Sequence, residues 1–216
     1  MSTLSVAAIQ MQSGRDPERN CAAMTEQVRE AAAKGAMYIQ TPEMTGFLVR
    51  DRAEMMRNVR KPGNDKIVAA ASRLAGVLGI YLHVGSTAIL RDDGKIANRA
   101  FLFGPDGGLI TTYDKIHMFD VDLDNGESWR ESATYEPGTR AVVADLPFGK
   151  LGFAVCYDVR FPQLFREEAL AGAQILTAPA AFTKQTGQAH WHSLQRSRAI
   201  ENGAFMVTAA QAGVHE

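Results

Sequence analysis

The chain has 216 residues, enough to bury one sizeable core without a disulfide or metal staple. Its 23 Lys and Arg against 24 Asp and Glu leave a net charge of −1, which gives no general attraction to nucleic acid or an anionic membrane. A content of 46% hydrophobic and 22% charged residues, with only two cysteines, excludes disordered, collagen-like and disulfide-framed chains.

Short apolar runs alternate with amphipathic stretches, the pattern of an α/β protein. Residues 4–10 predict a first strand. Asp16-Pro17 then places an N-cap and an N1 proline before a helix reaching Lys34, where Gly35 supplies a left-handed stop. A strand over 37–40 ends at Thr41-Pro42, because proline cannot continue central pairing, and this leaves Glu43 just past a strand end. The charged stretch 47–61 reads as a loop or short helix outside the core. Asn64 is the expected cap of a second helix running to Leu78-Gly79. Residues 81–90 and 95–103 flank Asp93-Gly94 as a hairpin, and 109–113 adds a third strand. Residues 118–139 are polar, punctuated by Gly and Pro, and long enough to suggest a functional loop. A second hairpin over 141–146 and 151–155 precedes helix 163–171, strand 174–178, helix 189–202 and strand 205–209. No repeat or linker divides the chain, so one domain over 1–216 is expected. Residues 211–216 follow closely on a strand, which predicts either a chain shortened at its C-terminus or a last strand at a sheet edge. With no signal-like N-terminus and no Asn-x-Ser/Thr, a cytoplasmic protein is expected.

Glu43, Lys115 and Cys156 each follow a predicted strand, where ligands gather in open α/β sheets. Each has a bland alternative: a solvated loop carboxylate, a surface lysine and a buried apolar cysteine. Together they supply a thiol nucleophile, a proton acceptor and a cation for a developing oxyanion, the set an acyl-transfer hydrolase needs. Glu131 offers a second carboxylate for Lys115 or a bound amide. Arg160 could pair with Asp158 or grip a substrate carboxylate. Whether Lys115 lowers the thiol pKa more than the carboxylates raise it is open at this stage. Arg198 and Glu201 read as a surface ion pair. His190 and His192 do not have metal-ligand spacing, and no phosphate-binding glycine motif occurs, so neither metal nor nucleotide cofactor is expected. The nine methionines show no stripe and read as core filler.

The segments Thr41-Pro42-Glu43, Tyr113-Asp114-Lys115-Ile116-His117, 126–132 and Cys156-Tyr157-Asp158-Val159-Arg160-Phe161-Pro162 resemble, in order, the motifs of the nitrilase superfamily of carbon–nitrogen hydrolases. The likeness runs along the whole chain. Cys-Tyr-Asp-x-Arg-Phe-Pro, with 186–191 and 196–202, is similar to the Nit-type amidase branch. The resemblance implies an α-β-β-α sandwich of two packed mixed sheets with outer helices. It implies Glu43 as general base, Lys115 as oxyanion stabiliser, Cys156 as nucleophile and Glu131 as supporting carboxylate. Tyr157 would give a second oxyanion donor, and Phe182 and Thr183 would line the pocket. The expected partner is a small amide of the deaminated glutathione or α-ketoglutaramate type, without nucleic acid or membrane, in a homo-oligomer. A nitrile or carbamoyl substrate, or a non-catalytic fragment of the same fold, is the alternative. Relatives of this kind run on past the position of Glu216.

Overall fold

The computed structural model describes residues 3–123, 126 and 128–215; positions 124, 125 and 127 of the polar segment, and position 216, lie outside them. The chain runs β1 (Val6–Ala8), α1 (Pro17–Ala33), β2 (Tyr38–Gln40), α2 (Arg52–Asn58), α3 (Lys66–Leu78), β3 (Tyr81–Leu90), β4 (Ile96–Phe103) and β5 (Leu109–Asp114). It continues through a β6 (Asp120–Asp122) and β7 (Ser128–Arg130) ribbon. Then come β8 (Val143–Leu146), β9 (Gly149–Gly152), α4 (Pro162–Leu170), β10 (Ile175–Thr177), α5 (Lys184–Asn202) and β11 (Phe205–Val207).

One sheet has the order β1-β2-β3-β4-β5, with β1, β2 and β3 parallel and β3, β4 and β5 antiparallel. The other has the order β11-β10-β9-β8, parallel from β11 to β9, with β8 antiparallel at its edge. Both are mixed, as the resemblance implied. β11 lies at a sheet edge.

The inner strands of the first sheet, β2, β3 and β4, are buried on both faces, with successive side chains pointing to opposite sides. Ile39, Leu82, Phe101 and Phe103 turn outward against Met24 and Val28 of α1 and Ile67, Ala71 and Leu74 of α3. Tyr38, Ala100, Leu102 and Tyr113 turn inward against Leu151, Phe153 and Leu176, which also pack with Leu164 and Phe165 of α4. Helix, sheet, sheet and helix therefore stack in four layers. Buried polar groups sit at the interface: within the first sheet His83 Nδ1 lies 2.7 Å from Tyr38 Oη, and Gln40 ties that sheet to the second, its Oε1 accepting from Ala209 N just past β11 at 2.8 Å. Burial pushes the His83 pKa down to about 3, so the imidazole is neutral here.

Several boundaries differ from the sequence expectation. Asp16 caps α1 as expected, accepting from Glu18 N and Arg19 N. The cap of α3 is Asp65, accepting from Val68 N, and not Asn64, which closes the preceding 3-10 turn. Residues 47–61 are not outside the core: Phe47, Met55 and Val59 are buried with Met44, Ala88, Ile96 and Tyr135. The arginines and glutamate on the outer side of α2 mask that apolar edge. Helix α5 starts five residues earlier than its apolar pattern, with Thr183 as N-cap and Gly187 accommodated inside the helix.

Gly85 decides how the two sheets meet. A Cβ there would lie 2.1 Å from Thr41 O and 2.5 Å from Pro179 Cβ, so only glycine lets the turns after β2 and β10 approach β3. A Gly85→Ala substitution must push rigid backbone apart, and it lowers the unfolding free energy by about 2–4 kcal/mol. Urea denaturation measures this, and a loss below about 0.5 kcal/mol would contradict the packing role.

Candidate active site

Three turns at one end of the sandwich carry the site. After β2, the turn 41–46 is held by Thr41 Oγ1 against Thr45 Oγ1 (2.7 Å), by Gly85 N donating to Thr41 Oγ1 (3.1 Å), and by Met44 in the left-handed region at φ +57°. This aims Glu43 inward. Lys115 follows β5, with its backbone N donating to Asn98 O at 2.9 Å. Cys156 comes after β9 and the extended residues 153–155. It opens a 3-10 turn (Cys156–Arg160) and itself sits at φ +52°. A left-handed non-glycine residue costs on the order of 1–3 kcal/mol and has to be held by its surroundings. Cys156 N donates to Pro179 O at 2.9 Å, and Asp158 Oδ2 accepts from Val155 N at 2.9 Å. The result is a sharp strand-to-helix elbow.

The bland alternative for Lys115 fails, because the side chain is 1% exposed. Its Nζ donates to Glu43 Oε1 at 3.0 Å and to Glu131 Oε2 at 2.7 Å. Glu43 is buried as well; its Oε2 accepts from Ala181 N at 2.8 Å, and Glu131 Oε2 also accepts from Phe119 N at 2.7 Å. The Cys156 thiol lies against the Glu43 carboxylate. Glu43, Lys115, Glu131 and Cys156 thus share one cavity of about 280 Å³, whose wall also includes Tyr157, Arg160, Phe182 and Thr183. All eight residues singled out in the sequence meet there.

Charge sorts the protons. Burial works against the Lys115 cation, yet Glu131 and Glu43 raise its pKa well above the ordinary value. Burial likewise pushes Glu43 up, but Lys115 and the donors on both oxygens bring it below the ordinary carboxylate value. Burial and then Glu43 push the Cys156 thiol well up, and Lys115 only partly offsets them. The question left open by the sequence is answered here: the carboxylate wins, and the thiol rests protonated beside a charged Glu43.

One functional residue, Asn98, was not singled out, and two residues named in the sequence take other partners than expected. Asn98 Nδ2 donates to Glu43 Oε1 (2.9 Å) and Glu131 Oε1 (3.2 Å), fixing both carboxylates from β4. A lone amide inside the run Ile96–Phe103 was the available signal. Asp158 does not pair with Arg160. Its Oδ2 accepts from Tyr113 Oη at 2.7 Å, and its Oδ1 accepts from His117 N at 2.9 Å and lies 2.6 Å from His117 Nδ1. Arg160 points instead into the cavity, with its guanidinium near the Tyr157 and Phe182 rings. Arg198 is not a surface group: it is buried, its Nε donates to Val159 O at 2.9 Å, and it pairs with Glu201 at 2.6 Å. It braces the elbow from α5. Among the described residues, no group of three His, Cys, Asp or Glu side chains could hold a metal ion.

A buried cysteine on a strained elbow, facing a carboxylate and a lysine across two packed sheets, defines a cysteine-centred hydrolase site. The family model described as carbon-nitrogen hydrolase matches residues 5–216, and the chain belongs to that family. It is 39% identical over 218 residues to a deaminated glutathione amidase of Yersinia enterocolitica, a match covering 100% of this chain and 76% of that protein. It is 37% identical to the omega-amidase NIT2 of Danio rerio over 98% of this chain and 76% of that protein. Among solved structures, the Caenorhabditis elegans NitFhit protein superposes with a TM-score of 0.88 at 31% identity, covering 99% of this chain and 53% of that one. Saccharomyces cerevisiae Nit3, of the nitrilase superfamily, gives 0.86 at 30% identity over 97% of this chain and 76% of that one.

Removing the cation tests the electrostatic account. Lys115→Met leaves two buried carboxylates facing each other and lowers stability at neutral pH by about 3–5 kcal/mol. In the parent, the Glu43 pKa is lowered from 4.5, so its contribution is complete above that value and is lost as pH falls through the folded-state pKa. In the variant a carboxyl is raised above its unfolded value, so the variant regains stability as pH falls from neutral toward 4.5. Urea titrations at neutral and mildly acidic pH compare the two slopes, and a loss independent of pH would refute the account.

Proposed function

We propose that this protein is a thiol amidase that hydrolyses a small ω-carboxamide to a carboxylic acid and ammonia through a thioester on Cys156. The observation that carries this reading is the buried Lys115 held between Glu43 and Glu131, with the Cys156 thiol against Glu43. The names of the relatives support amide substrates of the deaminated glutathione or ω-amide kind.

The steps follow from the resting protonation state. Glu43 takes the thiol proton as Sγ attacks the amide carbonyl, so the thiolate forms only in the presence of substrate. The negative oxygen lies between Lys115 Nζ and the Tyr157 backbone N–H. Glu43 then gives its proton to the amide nitrogen, the C–N bond breaks, ammonia leaves and the thioester remains. A water molecule loses a proton to Glu43 and attacks the thioester, releasing the acid, and the proton returns to sulfur. Glu131 and Asn98 hold Lys115 and Glu43 in register throughout. Arg160, at the cavity wall, suits bidentate recognition of a carboxylate on the acyl part. Phe182 and Thr183 shape the same wall. No step calls for a metal or cofactor.

The protein works as a homo-oligomer in the cytoplasm in this reading. Leu170, Ile200 and Phe205, on the neighbouring α4, α5 and β11, are 73%, 80% and 76% exposed, an apolar face of the kind a second copy covers. Both cysteines are free, and no helix among the described residues is long and apolar enough to cross a membrane.

Ammonia release from α-ketoglutaramate is the test. Cys156→Ala and Glu43→Gln each reduce it by about a thousandfold or more. Because Glu43 is held below its ordinary value and the thiol above its own, kcat/KM stays flat through neutrality and falls only at acid pH, below the ordinary carboxylate range. No release by the folded parent would support the non-catalytic alternative. Turnover of a nitrile or a carbamoyl compound alone would support the other.

A further inference from the structure

Helix α5 touches the elbow that carries Cys156 at two points. Arg198 Nε donates to Val159 O at 2.9 Å, as described above. Nearer the start of the same helix, His190 Nδ1 lies 3.2 Å from a terminal nitrogen of Arg160, the next residue of the elbow. Arginine has no acceptor, so Arg160 donates and Nδ1 accepts, which places the ring proton on Nε2. The Tyr157 and Phe182 rings flank the guanidinium, with its Cζ 5.9 Å and 6.0 Å from their centroids. Among the described residues, no carboxylate pairs with Arg160. His190 is exposed, and the catalytic steps above make no use of it.

A guanidinium on a long flexible stem needs an acceptor to fix the direction of its fork. A carboxylate would fix it and also cancel its charge. That is the case for Arg130, which lines the same cavity and pairs with Asp122 at 2.8 Å, and for Arg198, which pairs with Glu201 at 2.6 Å. Arg160 is met by a neutral imidazole instead, which orients the fork and leaves the full positive charge for a ligand. His190 engages one N–H of the guanidinium, and the remaining donors stay open for a carboxylate in the cavity. The first turn of α5 borders the cavity too, through Thr183 and Thr186, whose hydroxyls lie 2.7 Å apart. We infer that His190 is a positioning residue for substrate recognition, aiming the Arg160 fork at the carboxylate on the acyl part of the substrate without neutralising it. This rests on the amidase reading and makes α5 part of substrate selection.

Three substitutions at this exposed position separate orientation from charge. His190→Leu removes the acceptor, His190→Asp keeps an acceptor but adds a negative charge, and His190→Asn keeps a neutral acceptor close to the place of Nδ1. With α-ketoglutaramate, His190→Leu and His190→Asp each raise KM by about fivefold or more, while kcat changes by less than about twofold. His190→Asn stays within about twofold of the parent in both. The methyl ester of α-ketoglutaramate, which offers no anion to Arg160, shows no such selective loss. A KM unchanged by His190→Leu, an equal rise on the ester, tighter binding by His190→Asp, or no recovery with His190→Asn would overturn the assignment. Calorimetric binding of α-ketoglutaramate and its ester in a Cys156→Ala background repeats the comparison without turnover. Absence of hydrolysis by the folded parent would count against the amidase reading, whereas binding that ignores both the substrate's charge and the His190 substitutions would count against this role of His190.

Discussion

Lys115 is surrounded by carboxylate oxygens in a place closed to solvent, and the rest of the site is arranged around that fact. A lone buried ammonium would lose its proton or unfold the chain, and two buried carboxylates without it would repel each other. The three groups are stable only as a set, and Asn98 supplies further donors to both carboxylates. A net negative charge remains after Lys115 is matched against Glu43 and Glu131; burial first, and then the charge of Glu43, keep the neighbouring thiol protonated, with Lys115 offsetting them only in part. The arrangement therefore stores its basicity on Glu43 and not on sulfur. A neutral thiol beside a poised carboxylate is less open to stray alkylation and oxidation than a standing thiolate.

That set comes from three different strands, so the fold has to bring their ends to one place with sub-ångström care. Gly85 permits the turns after β2 and β10 to close on β3. Pro179, on one of those turns, accepts from Cys156 N and so fixes the left-handed elbow. Asp158 gathers Val155, Tyr113 and His117 beneath it. From the other side, Gln211 Nε2 donates to Glu43 O at 2.9 Å and to Ser13 Oγ at 2.7 Å. The strain at Cys156 is thus carried by both sheets, not by the loop alone.

Much of this was legible from residues. Asp16-Pro17 marked a helix start, Asp93-Gly94 a hairpin, and Thr41-Pro42 a strand end that left Glu43 exposed to the site. The catalytic candidates stood out because three chemically complementary groups each followed a strand. What stayed hidden depends on three-dimensional neighbours. Whether Arg198 is a surface charge or a buried brace is decided by Val159 O, far away in sequence. Asp158 finds Tyr113 and His117 across the sheet interface instead of Arg160 two residues away. The direction of the thiol pKa turns on the depth of burial, which no local pattern encodes. Residues 47–61 concealed their core contacts because charged side chains on the outer surface of α2 dilute the apolar period.

The claim on which the account depends is that the resting proton sits on Cys156 while Glu43 carries the charge. The ultraviolet absorption of a thiolate, followed through a pH titration of the parent and subtracted from that of Cys156→Ala, reads this directly. The account predicts no Cys156 thiolate signal at neutral pH, with the signal rising only above the ordinary thiol range. A thiolate already present at neutral pH would contradict it, because Lys115 would then outweigh the buried carboxylates and Glu43 would not be the group that draws the proton from sulfur.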